Sequence, residues 1–380
     1  MKNIYADHAA TTPVHPEAAK VMMDVMQDNF GNPSSIHTFG RKARQQLDRA
    51  REQLAHTIDA SPDEIVFTSG GTEADNLAII GYAEANKERG NHIITTKIEH
   101  HAVLHTCEKL ERLGFKITYL PVNKEGFVQF EELKEAITDD TILITIMHGN
   151  NEVGTVQPIS QIADLATENN IAFHTDAVQT YGLVPLNVEK IPVTMVSVSS
   201  HKINGPKGAG FLYVKKGTKL TPFLTGGEQE KKRRAGTENL AAAAGFAKAA
   251  EIAFEERESR FNFYKSLSGH FLEALQSEEV PFEVNGPAAG KLPHITNIFL
   301  PNIQVESFLV HLDLSGIAAS SGSACTAGSV EPSHVLSAMF ADPKRAASSV
   351  RFSFGKDNTV DQMKYMAAEI RKIMARITTV

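Results

Sequence analysis

The sequence predicts an α/β fold, with a large domain on a mainly parallel, doubly wound seven-stranded sheet and a smaller α+β domain. Three observations lead there. Short apolar runs alternate with helical patterns from Glu64 to Val214, as in sheets whose strands are joined by crossover helices. Several runs end at once in polar residues, as buried strands do when they deliver side chains to one rim of a sheet. Beyond Gly245 the alternation stops and a different pattern begins.

Seven runs are expected as strands: Glu64–Thr68, His92–Thr96, Phe115–Leu120, Thr141–Met147, Ile171–Thr175, Val193–Ser199 and Gly210–Val214. Between them, Glu73–Glu88, Ala102–Leu113, Phe130–Thr138 and Ile159–Asn169 carry helical periodicity. One long helical stretch of mixed charge, Phe246 to about Ser277, reads as the link to the second domain. That domain is expected to hold strands near His294–Phe299 and Ser349–Phe354 and a final helix from about Val360.

A chain of 380 residues can bury a large core and suits two domains. Its net charge of −7 argues against a general nucleic-acid surface. The start, Met-Lys-Asn-Ile-Tyr-Ala-Asp-His, lacks the apolar core of a signal peptide, and no run approaches a membrane span. Cys107 and Cys325 are too few for a disulfide framework, so a reducing cytoplasm is the expected setting.

The chemistry gathers at strand ends. Lys202 follows Val193–Ser199 in Ser-Ser-His-Lys-Ile-Asn-Gly, and Asp176 closes the run that begins at Ile171. Either alone reads as a solvated loop charge. Together on one sheet rim they are what a pyridoxal phosphate enzyme requires: an amine for the aldehyde and a carboxylate for the pyridine nitrogen. Gln179 lies one turn beyond Asp176 and could face the ring hydroxyl beside the imine. After Thr68, Ser-Gly-Gly-Thr opens a helix, so Gly71 and Thr72 are candidate phosphate ligands, although Thr72 could simply cap that helix. His100, in Glu-His-His, could lie over a flat ring or could stand in solvent at a helix start.

Asn151 could offer its amide to a substrate carboxylate, or belong to a turn built on Gly149 and Asn150. Arg351 sits in an alternating strand pattern, where a guanidinium could grip a carboxylate with two parallel bonds. Cys107 shares helical spacing with Val103, Leu104 and Leu110 and reads as a core residue. Cys325 lies among Ser, Gly, Ala and Thr, a stretch that reads as a mobile loop exposing a reactive thiol. The 15 histidines are scattered without metal-ligand spacing, so no metal site is expected.

With these residues in place, the chain resembles the cysteine desulfurases of the NifS/IscS type, within the fold-type I pyridoxal phosphate enzymes. The likeness runs nearly end to end. It covers Tyr5-Ala-Asp-His-Ala-Ala-Thr-Thr-Pro13, Gly31-Asn-Pro-Ser-Ser-Ile-His37, Thr68-Ser-Gly-Gly-Thr-Glu73, Glu99-His-His101 and Asn150-Asn-Glu-Val-Gly154. It continues through His174-Thr-Asp-Ala-Val-Gln179, Ser200-His-Lys202, Arg234-Ala-Gly-Thr237 and Ser321-Gly-Ser-Ala-Cys325.

The resemblance implies a homodimer that takes sulfur from L-cysteine, leaves L-alanine, and holds the sulfur as a persulfide on Cys325. Lys202 would carry the cofactor, Asp176 and Gln179 would hold its ring, and His100 would stack on it. Gly71, Thr72, Ser199, His201 and, from the second subunit, Thr237 would bind the phosphate. Asn32, Asn151 and Arg351 would hold the substrate carboxylate. Sulfur would pass to an acceptor protein, either an iron–sulfur scaffold or a tRNA-thiolating enzyme. The likeness also divides the chain into a large domain at 15–255 and a small domain of 1–14 with 256–380, bearing the cysteine loop at about 320–332. The chain departs from the family pattern at Ala6, Lys232 and Ala235, away from the expected chemistry, and Lys231–Arg234 is unusually basic. The long cysteine segment favours sulfur delivery over selenocysteine lyase activity. An aminotransferase is the other alternative, and it would have no need of Cys325.

Overall fold

The computed structural model describes residues 3–322 and 332–377. The chain enters through a two-residue strand, β1 (Ile4–Tyr5), and two helices, α1 (Pro16–Asp28) and α2 (Thr38–His56). There follow β2 (Ile65–Thr68), α3 (Gly71–Asn86), β3 (His92–Thr96), α4 (His101–Arg112), β4 (Lys116–Leu120), α5 (Phe130–Ala136) and β5 (Thr141–Thr145). Next come α6 (Ile159–Glu168), β6 (Ala172–Asp176), β7 (Met195–Ser199), β8 (Gly210–Val214), α7 (Leu240–Glu255) and α8 (Arg257–Ser277). The remainder runs β9 (Glu283–Asn285), β10 (Ile295–Phe299), α9 (Val305–Leu314), β11 (Ile317–Ala318), α10 (His334–Met339), α11 (Pro343–Ala347), β12 (Ser349–Ser353) and α12 (Val360–Ile377).

The seven expected strands form one sheet in the order β2-β8-β7-β6-β5-β3-β4. Only β8 runs against its neighbours; the pairs from β7 to β4 are parallel. Strands β3, β5, β6, β7 and β8 are buried at every residue. Their sequences are therefore continuous apolar and β-branched runs, because helices cover both faces. The parallel strands share one direction, so their carboxyl ends lie along a single rim.

A second cluster of buried side chains joins Ile4 and Ala6 to Phe271, Phe308, Phe352 and Met366, around the antiparallel sheet β12-β10-β9 and helices α8 and α12. Chain ends far apart in sequence thus share one core. Helix α10 follows the segment that contains Cys325, yet its Val335, Leu336 and Met339 pack into the core under the large sheet.

The helical stretch expected from Phe246 to Ser277 is two helices. Helix α7 begins earlier, at Leu240, and the chain leaves helical geometry at Glu256 (φ −94°, ψ 4°) before α8 starts. The Glu256 carboxylate then takes the Arg260 guanidinium at 2.8 Å, which secures the new first turn. Among the described residues, no helix is long and apolar enough to cross a membrane.

Candidate active site

The carboxyl-end rim of the large sheet opens into a cavity of about 280 Å³. Its wall includes Gly71, Thr72, His100, Asn151, Asp176, Gln179, Ser199, His201, Lys202 and Arg351. Ten expected site residues, drawn from positions 71 to 351, therefore converge on one space. Each arrives for a local reason. Asp176 is the last residue of β6, and Lys202 ends the short 3₁₀ turn that follows β7. Gln179 lies in a hydrogen-bonded turn after β6 rather than on a helix, and its Nε2 donates to the Ala9 carbonyl at 2.9 Å.

The glycines at the start of α3 are required by geometry. Gly70 has φ +152°, a region essentially closed to other residues. A Cβ on Gly71 would stand 2.7 Å from Val178 Cγ2. Backbone N–H groups of the first helical turn are thereby left open toward the cavity beside Ser199 and His201, a setting suited to an anion. Burial, with help from the Lys202 charge, lowers His201 to about 4. It therefore acts as a neutral hydrogen-bonding group at neutral pH.

His100 caps α4 and accepts from the Ala102 N–H through Nδ1 at 3.1 Å. Burial and then the Lys202 charge hold it at about 4, so a neutral aromatic face borders the cavity. Asp176 is 6% exposed. Burial raises it to about 6, opposed by the Val178 N–H (2.8 Å) and the Lys202 charge. It is thus ionised at neutral pH and ready for a cationic partner. Lys202 Nζ donates to the carbonyls of Ala9 and, at 2.9 Å, Ala10. The N-terminal segment accordingly helps to position the lysine.

Arg351 is 1% exposed, so it is not a surface strand arginine. Its Nη2 pairs with Asp7 Oδ1 at 2.8 Å and its Nη1 donates to the Asn151 carbonyl at 2.8 Å. Its Nε is buried with no hydrogen-bond partner among the described residues. A desolvated guanidinium with a spare donor at a cavity wall suits a carboxylate ligand. The neutral imidazole face, the anion-ready helix start, the amine and the buried carboxylate together fit a flat, phosphate-bearing aromatic aldehyde. Among the described residues, no group of three or more His, Cys, Asp or Glu side chains is placed to hold a metal ion.

Two expected residues lie elsewhere. Asn32 is exposed and outside the cavity wall, with its Oδ1 accepting from the Ser34 N–H at 2.8 Å. Thr237 is exposed and borders a separate hollow with Ser69, Arg234 and Gly236. There Arg234 Nε pairs with Glu73 Oε1 at 2.8 Å, tying the Thr237 segment to the start of α3. Cys325 lies outside the described residues. Cys107 is fully buried and burial pushes its thiol up, as a core residue requires.

Buried polar groups at and behind the cavity wall carry no expected role. Glu99 is fully buried, accepts from Thr96 Oγ1 (2.7 Å) and from the Met147 N–H (3.0 Å), and is raised by burial to about 8. It links the end of β3 to the segment just after β5. His174 and Asp75 form a second buried group. His174 opens the His174–Gln179 motif and Asp75 lies two residues beyond the Thr68–Glu73 motif, but only the signal of a polar residue within a buried element could have marked them.

Residues 4–366 match the family described as aminotransferase class-V. An IscS 1 protein of Bacillus subtilis is 54% identical over 379 residues, covering 100% of both chains. The cysteine desulfurase IscS of Dictyoglomus turgidum is 47% identical, covering 100% of this chain and 96% of its own. A solved NifS-like protein superposes with a TM-score of 0.93 at 36% identity, over 98% of this chain and 100% of its own. The chain belongs to the class-V aminotransferases and, within them, to the cysteine desulfurases.

Proposed function

We propose that this chain is a pyridoxal phosphate-dependent cysteine desulfurase that passes the sulfur of L-cysteine to Cys325 and leaves L-alanine. The observation that carries the reading is the meeting of Lys202, Asp176, His100 and Arg351 on one cavity wall. In this reading Gly71, Thr72, Ser199 and His201 hold the cofactor phosphate, joined by Thr237 of a second subunit in a homodimer. Asp176 pairs with the ring nitrogen, Gln179 serves the ring oxygen, and His100 covers the ring face. The working units are a large domain at 15–255 and a small one of 1–14 with 256–380.

When bound, pyridoxal phosphate supplies an electron sink for bonds at the substrate Cα. The residues supply the rest. Arg351, through its spare Nε, and Asn151 grip the substrate carboxylate and orient Cα toward Lys202. Lys202 Nζ takes the Cα proton and returns it later. Neutral His100 and His201 keep the amine from facing further cations. The Cys325 thiolate attacks the substrate sulfur, so an S–S bond forms as the Cβ–S bond breaks and its electron pair stays with carbon. Protonation of the carbon skeleton completes alanine, and the persulfide remains on the protein. A free thiol, with a pKa of about 8.5, is only a few per cent ionised at neutral pH, so local activation of Cys325 is required. The persulfide then serves a sulfur-accepting protein of iron–sulfur assembly or tRNA thiolation in the cytoplasm.

The test is a visible spectrum before and after cysteine, with alanine and bound sulfane sulfur counted in parallel. The Cys325→Ala variant should keep the cofactor colour and its response to cysteine but lose sulfur transfer. Undiminished alanine turnover and bound sulfur in that variant would remove Cys325 from the mechanism.

A further inference from the structure

The cavity wall includes an acid that the proposed reaction does not use. Asp75 stands in the early turns of α3, 1% exposed, and borders the same cavity as Asp176. Its Oδ1 has no hydrogen-bond partner among the described residues and lies 3.7 Å from His174 Nε2. That imidazole is held between two hydroxyls, with Thr145 Oγ1 2.8 Å from Nδ1 and Ser197 Oγ 2.9 Å from Nε2. Complete burial lowers His174 to about 3, so the ring is neutral and supplies no counter-charge.

The other groups facing Asp75 are the Ser197 hydroxyl and two further buried carboxyls, Asp176 and Glu99. The nearby cation, Lys202, acts on Asp176. Two carboxylates that share a desolvated pocket without a cation for each do not both ionise. Burial and then the Asp176 charge push Asp75 well above the usual carboxylate range, whereas Asp176 is held to about 6 by the Val178 N–H and Lys202.

We propose that Asp75 and Asp176 work as one acid pair carrying a single negative charge, with Asp75 keeping the proton and standing as the reserve carboxylate for the cofactor ring. The inference rests on the pyridoxal phosphate reading of the cavity. The protonated member keeps the negative charge on this part of the cavity wall from doubling. It also sets the direction of the hydrogen bonds behind it. A protonated Asp75 lets Ser197 donate to His174 Nε2, which leaves the imidazole proton on Nδ1 for Thr145. An ionised Asp75 would draw the Ser197 proton to itself and demand the opposite tautomer.

Infrared difference spectra of wild type against Asp75→Asn, loaded and cofactor-free at neutral pH, test the pair directly. Loss of an un-ionised carboxyl C=O stretch in the variant is expected, since bands from Glu99 are common to both proteins and cancel. Absence of that difference overturns the proposal. Cofactor affinity across Asp75→Asn, Asp176→Asn and the double variant gives a second reading. Asparagine mimics the neutral acid, so Asp75→Asn alone weakens binding less than about threefold. With Asp176 replaced, burial still favours the Asp75 proton, but its neighbour's charge is gone and a cationic ring in the loaded protein would have Asp75 as its remaining counter-ion. Asp75 therefore ionises on loading, and removing it as well costs at least about tenfold more. Equal affinity of Asp176→Asn and the double variant overturns the proposal. A chain that binds no pyridoxal phosphate would sink the cofactor reading, while the infrared band would still decide the pair.

Discussion

Replacing Glu99 by glutamine should flatten one part of the pH dependence of stability by an amount the structure sets. The side chain is fully buried, and burial raises it from 4.5 to about 8. The folded protein therefore keeps this proton up to about pH 8, whereas the unfolded chain loses it near 4.5. Between those values the folded state binds one more proton, so unfolding free energy falls as pH rises. The fall is about 1.4 kcal/mol per pH unit. From pH 5 to pH 8, three units, it comes to about 4 kcal/mol. Below pH 4.5 the stability tied to this proton is fully present, and above pH 8 it is gone. Glutamine keeps an acceptor for the Met147 N–H and can donate to Thr96 Oγ1, but it does not titrate. Urea unfolding of the cofactor-free wild type and Glu99→Gln at pH 5, 6.5 and 8 checks this. The variant should gain on the wild type by about 4 kcal/mol across the series, because the other titrating groups are common to both. Parallel curves, within about 1 kcal/mol, would refute the assignment of Glu99 as a buried proton holder.

Arg351→Lys should raise the KM for cysteine by roughly ten- to a hundredfold while leaving the cofactor absorbance unchanged, since a lysine cannot hold Asp7 and the Asn151 carbonyl and also present a donor where Nε stands; an unaltered KM in steady-state assays would oppose the carboxylate role. Arg51 donates to both carboxylate oxygens of Glu230 at 2.6 Å, and Glu230 also accepts from the Phe67 N–H at 2.9 Å. Arg51→Ala leaves that buried carboxylate unpaired and should cost about 3–5 kcal/mol in urea unfolding, whereas a loss below about 1 kcal/mol would show that the pair contributes little.

Much of the scaffold was legible because strands buried on both faces must be apolar throughout. Val193–Ser199 and Thr141–Met147 stand out for that reason, and the polar residue after each one locates the rim. The stripe Ala43, Leu47, Ala50 and Leu54 of α2 was equally open to reading, at spacings of four, three and four, amid a very polar helix. The break at Glu256 was hidden, because apolar and charged residues continue their helical rhythm across it. Arg351 alternates like any strand residue. Its burial depends on Asp7 and Asn151, which lie 344 and 200 positions away.

Residue types and their local spacing determined by themselves which segments became strands, that Lys202 and Asp176 would reach one rim, and that glycines would open the start of α3. Those are properties of neighbouring residues, set by periodicity and backbone sterics. Only the tertiary structure decided the order in which strands pair, the burial of Arg351, and the charge on Asp75, Glu99, His100 and Asp176. Desolvation and electrostatic coupling depend on every group within a few ångströms, and most of those groups come from distant parts of the chain.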